Sequence, residues 1–144
     1  MGRKPEGFTL VEIVLAIALA GLFMYGAVYS FQQLVPKFQL QSGIWEVTSG
    51  LNQARFRAIM SGEPVRVRFV PSGFVFERYD VAAKIWRTAR TASLPGVAVR
   101  ANNSPVFHPQ GTVSDLASIY VSNSRGAYRV TIAISGRVKA IRVS

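Results

Sequence analysis

The stretch "EGFTLVEIVLAIALAGLF" (residues 6–23) decides how the rest of the chain is read. It opens an apolar run that continues to Phe31, in which only Thr9, Glu12 and Ser30 are clearly polar. At about 1.5 Å per residue, a helix over residues 8–31 is roughly 36 Å long, enough to cross a hydrocarbon core of about 30 Å. The anomaly is Glu12. A charged side chain inside a span costs at least about 2.5–3.5 kcal/mol at the centre and less near the interface, so its presence asks for a partner or for an interfacial position. Snorkelling from the first helical turn is the simpler of the two explanations.

The flanks set a topology. Arg3 and Lys4 precede the run, and only Lys37 follows it closely. The positive-inside rule then places the N-terminus in the cytoplasm and the remainder of the chain outside. A secretory signal peptide is the rival reading, with Arg3 and Lys4 as its basic region and Ala18-Leu19-Ala20 as an A-x-A cleavage site. Against it, the apolar run continues well past that site, and a carboxylate interrupts it near its start.

Outside the apolar run the chain looks like a soluble domain. With 144 residues, 49% of them hydrophobic, and a mean hydropathy of +0.24, the apolar excess is concentrated at one end. The net charge is +10, and from Lys37 onward 15 basic residues face 5 acidic ones. The positive charge therefore belongs to the soluble part, where it attracts anions such as nucleic acid or lipid headgroups. The absence of cysteine excludes disulfides and thiolate metal sites.

A second helical segment is expected over residues 37–60, with Phe38, Ile44, Val47, Leu51, Ala54, Ala58 and Ile59 at steps of three and four or nearly so. Pro36 ends or kinks the preceding half, Gly43 and Gly50 weaken the interior, and Ser61-Gly62 with Pro64 stops the helix. Gly21 and Gly26 supply close packing or are ordinary membrane-helix composition.

From Val65 the period changes to two. "VRVRFV", "FVFERY", "KIWRTA", "VAVR", "SIYVS" and "AYRVTIAI" read as short strands separated by turns at Pro71-Ser72-Gly73 and Pro95-Gly96. Strands at this spacing predict an antiparallel sheet in two packed layers, and with the leading helix an α+β fold. In the last hairpin, a three-residue loop Ile134-Ser135-Gly136 sets Ile132 opposite Val138 and Val130 opposite Ala140, with Arg129, Thr131, Ala133, Arg137 and Lys139 on the reverse face. A two-residue loop would oppose Arg129 to Arg142, so the longer loop is preferred.

Little here suggests an enzyme. His108 is the only histidine and lies in the turn-like "FHPQG"; Ser114 and Asp115 follow, but three residue types do not make a triad. With one histidine and scattered carboxylates, neither a catalytic metal site nor any cofactor is expected.

A short basic leader ending in Gly7, then "FTLVE" and an apolar helix, resembles the class III signal of type IV pilins and type II secretion pseudopilins. "LNQARFRAIMSGEPVRVRF", "FHPQGTVS" and "YRVTIAISGRVKAIRV" resemble the GspH/FimT group of minor pseudopilins and minor pilins. The resemblance implies a long N-terminal helix, its first half transmembrane, packed on two antiparallel sheets. It implies a leader of residues 1–7, an anchor of residues 8–35, a second helical half of residues 36–62, and a β-rich domain of residues 63–144. It further implies cleavage between Gly7 and Phe8 by a prepilin peptidase, N-methylation of Phe8, and pairing of Glu12 with a neighbouring subunit's new amine. The expected partners are that peptidase, membrane lipid, other pilins or pseudopilins in a filament, and secreted protein cargo or DNA. The expected location is the cytoplasmic (inner) membrane, single-pass, with the domain in the periplasm.

Type II secretion is the leading assignment. The alternative is a type IV minor pilin that takes up DNA through a C-terminal Gly-Arg-x-Arg motif. The corresponding residues are Gly136, Arg137, Val138 and Lys139, so lysine replaces the second arginine and the bidentate fork is lost. Arg129, Arg137, Lys139 and Arg142 are the expected phosphate contacts; otherwise they form a solvated basic face that keeps an edge hairpin soluble.

Overall fold

The computed structural model describes residues 8–143. Gly7, Arg3, Lys4 and the rest of the expected leader lie outside the described residues. Helix α1 runs Leu10–Ser61, and the chain divides into two compact units that meet between Val35 and Pro36.

The first unit is helical and apolar on all sides. Its large side chains, among them Leu10, Val11, Ile17, Leu22, Phe23 and Tyr25, are exposed. By length and composition this helix suffices to cross a membrane. Thr9 starts it: the Thr9 hydroxyl and carbonyl both accept from the Glu12 backbone N–H, at 3.3 and 3.1 Å. A threonine three residues before a glutamate is the capping-box spacing.

The second unit holds the rest of α1 and nine strands. Pro36 does not end the helix, which continues through it. Proline removes one backbone donor and leaves the following turns intact. The Pro36 carbonyl also accepts from the Asn123 side-chain amide at 2.6 Å. Leu40, Gly43, Val47, Gly50, Leu51, Ala54 and Ala58 form the buried face. Gly43 and Gly50, read from sequence as weak points, are contact points: a Cβ on Gly50 would lie 2.6 Å from the Phe74 ring. Phe38 and Ile59, expected in the stripe, are exposed. Gly62, at φ +68°, closes the helix, its N–H bonding to the Ala58 carbonyl.

The strands are β1 (Val65–Val70), β2 (Gly73–Asp80), β3 (Ile85–Ser93), β4 (Ala98–Ala101), β5 (Val106–Phe107), β6 (Val113–Ser114), β7 (Ser118–Asn123), β8 (Gly126–Ile132) and β9 (Val138–Val143). They make two antiparallel sheets, a larger one in the order β3-β2-β1-β5-β6 and a smaller one in the order β4-β7-β8-β9. The helix and both sheets supply one continuous core. Val47, Leu51 and Ala54 from α1 meet Val67, Phe76 and Phe107 from the larger sheet and Ile119, Val121 and Val130 from the smaller. This is the α+β architecture of a long helix packed on antiparallel sheets. Truncating a fully buried residue of this core such as Leu51 costs about 2–5 kcal/mol.

Candidate functional site

Two surfaces carry chemistry beyond packing: the first helical turn and the outward faces of the sheets. In the first turn, Phe8 is 80% exposed, and the Glu12 side chain is exposed one turn into the helix. A carboxylate here is favoured by the unpaired N–H groups and the positive end of the helix dipole. Thr9 and Glu12 are thus a helix start as well as part of an apolar segment, a role that the threonine–glutamate spacing signals.

The larger sheet turns arginines outward and meets them with acids. Arg66 and Arg68 flank Glu77, donating from Nε at 2.6 and 2.9 Å. Burial pushes the Glu77 carboxyl up, but the hydrogen bonds and charges of Arg68 and Arg66 outweigh it and leave its pKa below the usual value. The Arg66 guanidinium also lies over the Trp86 ring, 4.4 Å from its centroid, while Tyr79 meets Trp86 edge-on at 5.2 Å. Arg78 pairs with Glu63, and Arg87 with Asp80 at 2.7 Å. Asp80 is held below its usual pKa first by the Ala83 backbone N–H, with desolvation opposing and Arg87 adding to the lowering.

The smaller sheet has no acids on its strands. Between Val97 and Val143 the only carboxylate is Asp115, in the β6–β7 connection, against Arg100, Arg125, Arg129, Arg137, Lys139 and Arg142. Its last hairpin has the three-residue loop: Ile132 faces Val138 and Val130 faces Ala140. Gly136 takes φ +78°, its N–H bonds to the Ala133 carbonyl at 2.8 Å, and the Ala133 N–H bonds to the Arg137 carbonyl at 2.9 Å. Glycine is required for a second reason. A Cβ on Gly136 would lie 2.7 Å from Arg55 Nε and 2.9 Å from the Gly111 carbonyl. The loop thus rests on a helix arginine, whose Nε is buried with no hydrogen-bond acceptor. The Val113 N–H bonds to the Ile134 carbonyl at 2.9 Å and ties the loop to β6 as well.

The register brings some of the predicted basic residues together and separates one. Arg129 faces Ile141, and Lys139 faces Thr131, so both lie on the outward face, with Arg137 in line at the loop. Arg142 faces Tyr128 and lies on the opposite face of the ribbon; its guanidinium reaches toward Gly126. The odd–even alternation that groups Arg137 and Lys139 is what excludes it. Two residues that sequence reading missed join the outward face. Arg100 of β4 faces Tyr120 of β7, which faces Arg129 of β8. Arg100 is invisible in sequence because β4 and β7 are not consecutive strands, whereas Tyr120 meets Arg129 across the local β7–β8 hairpin.

His108 and Ser114 do meet, with Nε2 2.9 Å from Oγ across the β5–β6 turn. Among the described residues no hydrogen bond links Asp115 to His108, so the geometry of a triad is not assembled.

The chain is similar to solved pilin-like structures. The minor pseudopilin EpsH of the Vibrio cholerae type II secretion system matches with a TM-score of 0.61 at 14% identity, over 73% of this chain and 94% of that one. The Pseudomonas aeruginosa type IV minor pilin FimU matches with a TM-score of 0.59 at 15% identity, over 72% of this chain and 88% of that one. No curated protein matches it in sequence. The family model described as type II transport protein GspH matches residues 45–136, from the helix through the loop glycine of the last hairpin. The chain belongs to the GspH family of type II transport proteins, and its fold is that of a minor pseudopilin or pilin.

Proposed function

We infer that the protein is a minor subunit of a type II secretion pseudopilus, anchored in the cytoplasmic membrane until it joins a filament. The observation that carries this reading is the first unit. Its apolar helix has no buried residue of its own, so lipid must cover it first and other subunits afterwards. Prepilin peptidase cuts after Gly7 and methylates Phe8. The domain faces the periplasm, and it acts at filament initiation or at the tip, toward secreted cargo, with no turnover of its own.

Glu12 then has two separable roles, a local one in starting the helix and an assembly one in pairing with a neighbour's amine at Phe8. Glu12→Gln keeps the capping-box chemistry and removes the charge. The variant should insert normally and enter filaments at least tenfold less, read by shear fractionation, while mass spectrometry finds the mature chain beginning at methylated Phe8. Normal incorporation of Glu12→Gln, or a different mature N-terminus, sinks the reading.

A second reading, the pilus-side minor pilin that binds DNA, is favoured by the acid-free strands of the smaller sheet. Arg129, Arg137 and Lys139 would contact phosphates, with affinity falling steeply with salt and little sequence preference. Mobility shifts of the full chain in neutral detergent test it. Arg137→Ala with Lys139→Ala should flatten the salt slope by about 2; no salt-sensitive shift in the parent removes DNA from the account.

A further inference from the structure

We propose that the outward face of the smaller sheet is a binding platform for single-stranded nucleic acid, with Tyr120 as the stacking residue between Arg100 and Arg129. This rests on the nucleic-acid reading above and adds to it the strand state and two residues outside the hairpin.

The argument starts from two aromatics in similar settings. On the larger sheet, Trp86 has its ring occupied, with Arg66 over one face and Tyr79 against it. Arg66 is in turn held by Glu77. That aromatic is part of a closed cluster. On the smaller sheet, Tyr120 is 40% exposed. Among the described residues it enters no ring contact and lies under no cation. Its cross-strand neighbours on both sides are arginines, Arg100 and Arg129, about 5 Å away on the adjacent strands. Neither takes part in an ion pair among the described residues; Arg100 is exposed, while Arg129 is half-buried with its Nε enclosed and without an acceptor. Lys139 and Arg137 extend the charge along β9 at the sheet edge.

An exposed ring flanked by cations on an antiparallel four-stranded sheet provides what an unpaired base and its phosphates need. The π-face takes the base and the guanidiniums take the backbone. A duplex keeps its base faces stacked inside, so it can use the charges but not the ring. The face therefore discriminates by strand state rather than by sequence.

The test uses the full chain in neutral detergent and a labelled mixed-sequence oligonucleotide of about 15 nucleotides, single-stranded or paired with its complement. The single strand should bind at least fivefold tighter. Tyr120→Leu should weaken single-strand binding by about tenfold and leave duplex binding unchanged, and Tyr120→Phe should restore it. Arg100→Ala should weaken both forms and lower the salt slope by about 1. Equal affinity for the two forms, with Tyr120→Leu indistinguishable from the parent, overturns the stacking platform while leaving phosphate binding in place. Absence of salt-sensitive binding to either form overturns both. Unchanged thermal unfolding of Tyr120→Leu ties any loss to the surface rather than to the fold.

Discussion

In the larger sheet, β1 sends Arg66 and Arg68 outward onto a carboxylate that is itself buried. In the smaller sheet, β8 sends Arg129 and β9 sends Lys139 outward, with Arg137 in line at the loop between them, and no acidic residue lies on any strand of that sheet. Both segments read as alternating apolar and basic residues, "VRVRF" in one and "YRVTI" with "GRVKA" in the other. The alternation fixes which face a side chain takes. It does not fix what waits there. The first set of arginines is paired within the fold, and the second meets no acid on its own sheet.

The largest expected effect lies in the first set. Glu77→Ala leaves two guanidiniums facing each other without their shared acid, and should lower stability by about 2–3 kcal/mol. That is somewhat below the usual cost of breaking a buried pair, because both arginines keep some water. The effect has a definite pH sense. A carboxylate whose folded pKa is lowered contributes its stability above the unfolded value and loses it as pH falls through the folded one. In denaturant unfolding, the gap between the parent and Glu77→Gln should be constant near neutrality and shrink once pH falls below about 4.3. A gap that is absent at pH 7, or that widens in acid, breaks the contrast between the sheets.

How far the sequence reveals this architecture depends on the length of the signal. Strands β1 and β2 and the last hairpin are long enough for period two to be visible, and the loop glycine fixes the register. Strands β5 and β6 have two residues each and leave no period to read. Strand β3 runs on to Ser93 with mostly exposed residues, so nothing in its pattern extends it past Ala89. The close approach at Gly43 and Gly50 is not legible in the sequence, because a residue without a side chain carries no hydropathy signal. Only the partner, Val97 or Phe74, reveals the close approach. The basic face was half legible. Arg129 joins Lys139 and Tyr120 through local turns, whereas Arg100 arrives through pairing of strands distant in sequence. The first-turn acid is legible as an anomaly, and the threonine–glutamate spacing is a signal of its capping partner Thr9, to which the Glu12 N–H donates.

A smaller effect is expected where the basic hairpin rests on the helix. Arg55 lies under Gly136, the glycine that opens the basic segment Arg137–Lys139. Gly136→Ala should cost about 2 kcal/mol, of which about 1–2 is left-handed backbone strain and the rest is contact with Arg55 and the Gly111 carbonyl. In an Arg55→Ala background the same substitution should cost measurably less. Equal losses in both backgrounds would mean that the loop does not bear on the helix, and the basic hairpin would then be held by its own turn alone.

The smallest effect has the opposite sign, and for that reason it separates the sheets most sharply. Lys139 is exposed, faces Thr131, and has Arg129 and Arg137 as its charged neighbours on the same face. Lys139→Glu replaces a like-charge neighbourhood with an opposite one and should raise stability by a few tenths of a kcal/mol. The same reversal on the larger sheet, Arg66→Glu, sets a second acid against Glu77 and takes the cation off Trp86, so it must destabilise. Charge that can be reversed with a gain in stability is not there to hold the fold. If Lys139→Glu instead costs more than about 1 kcal/mol, the outward cations of the smaller sheet are structural as well, and a ligand is no longer needed to account for them.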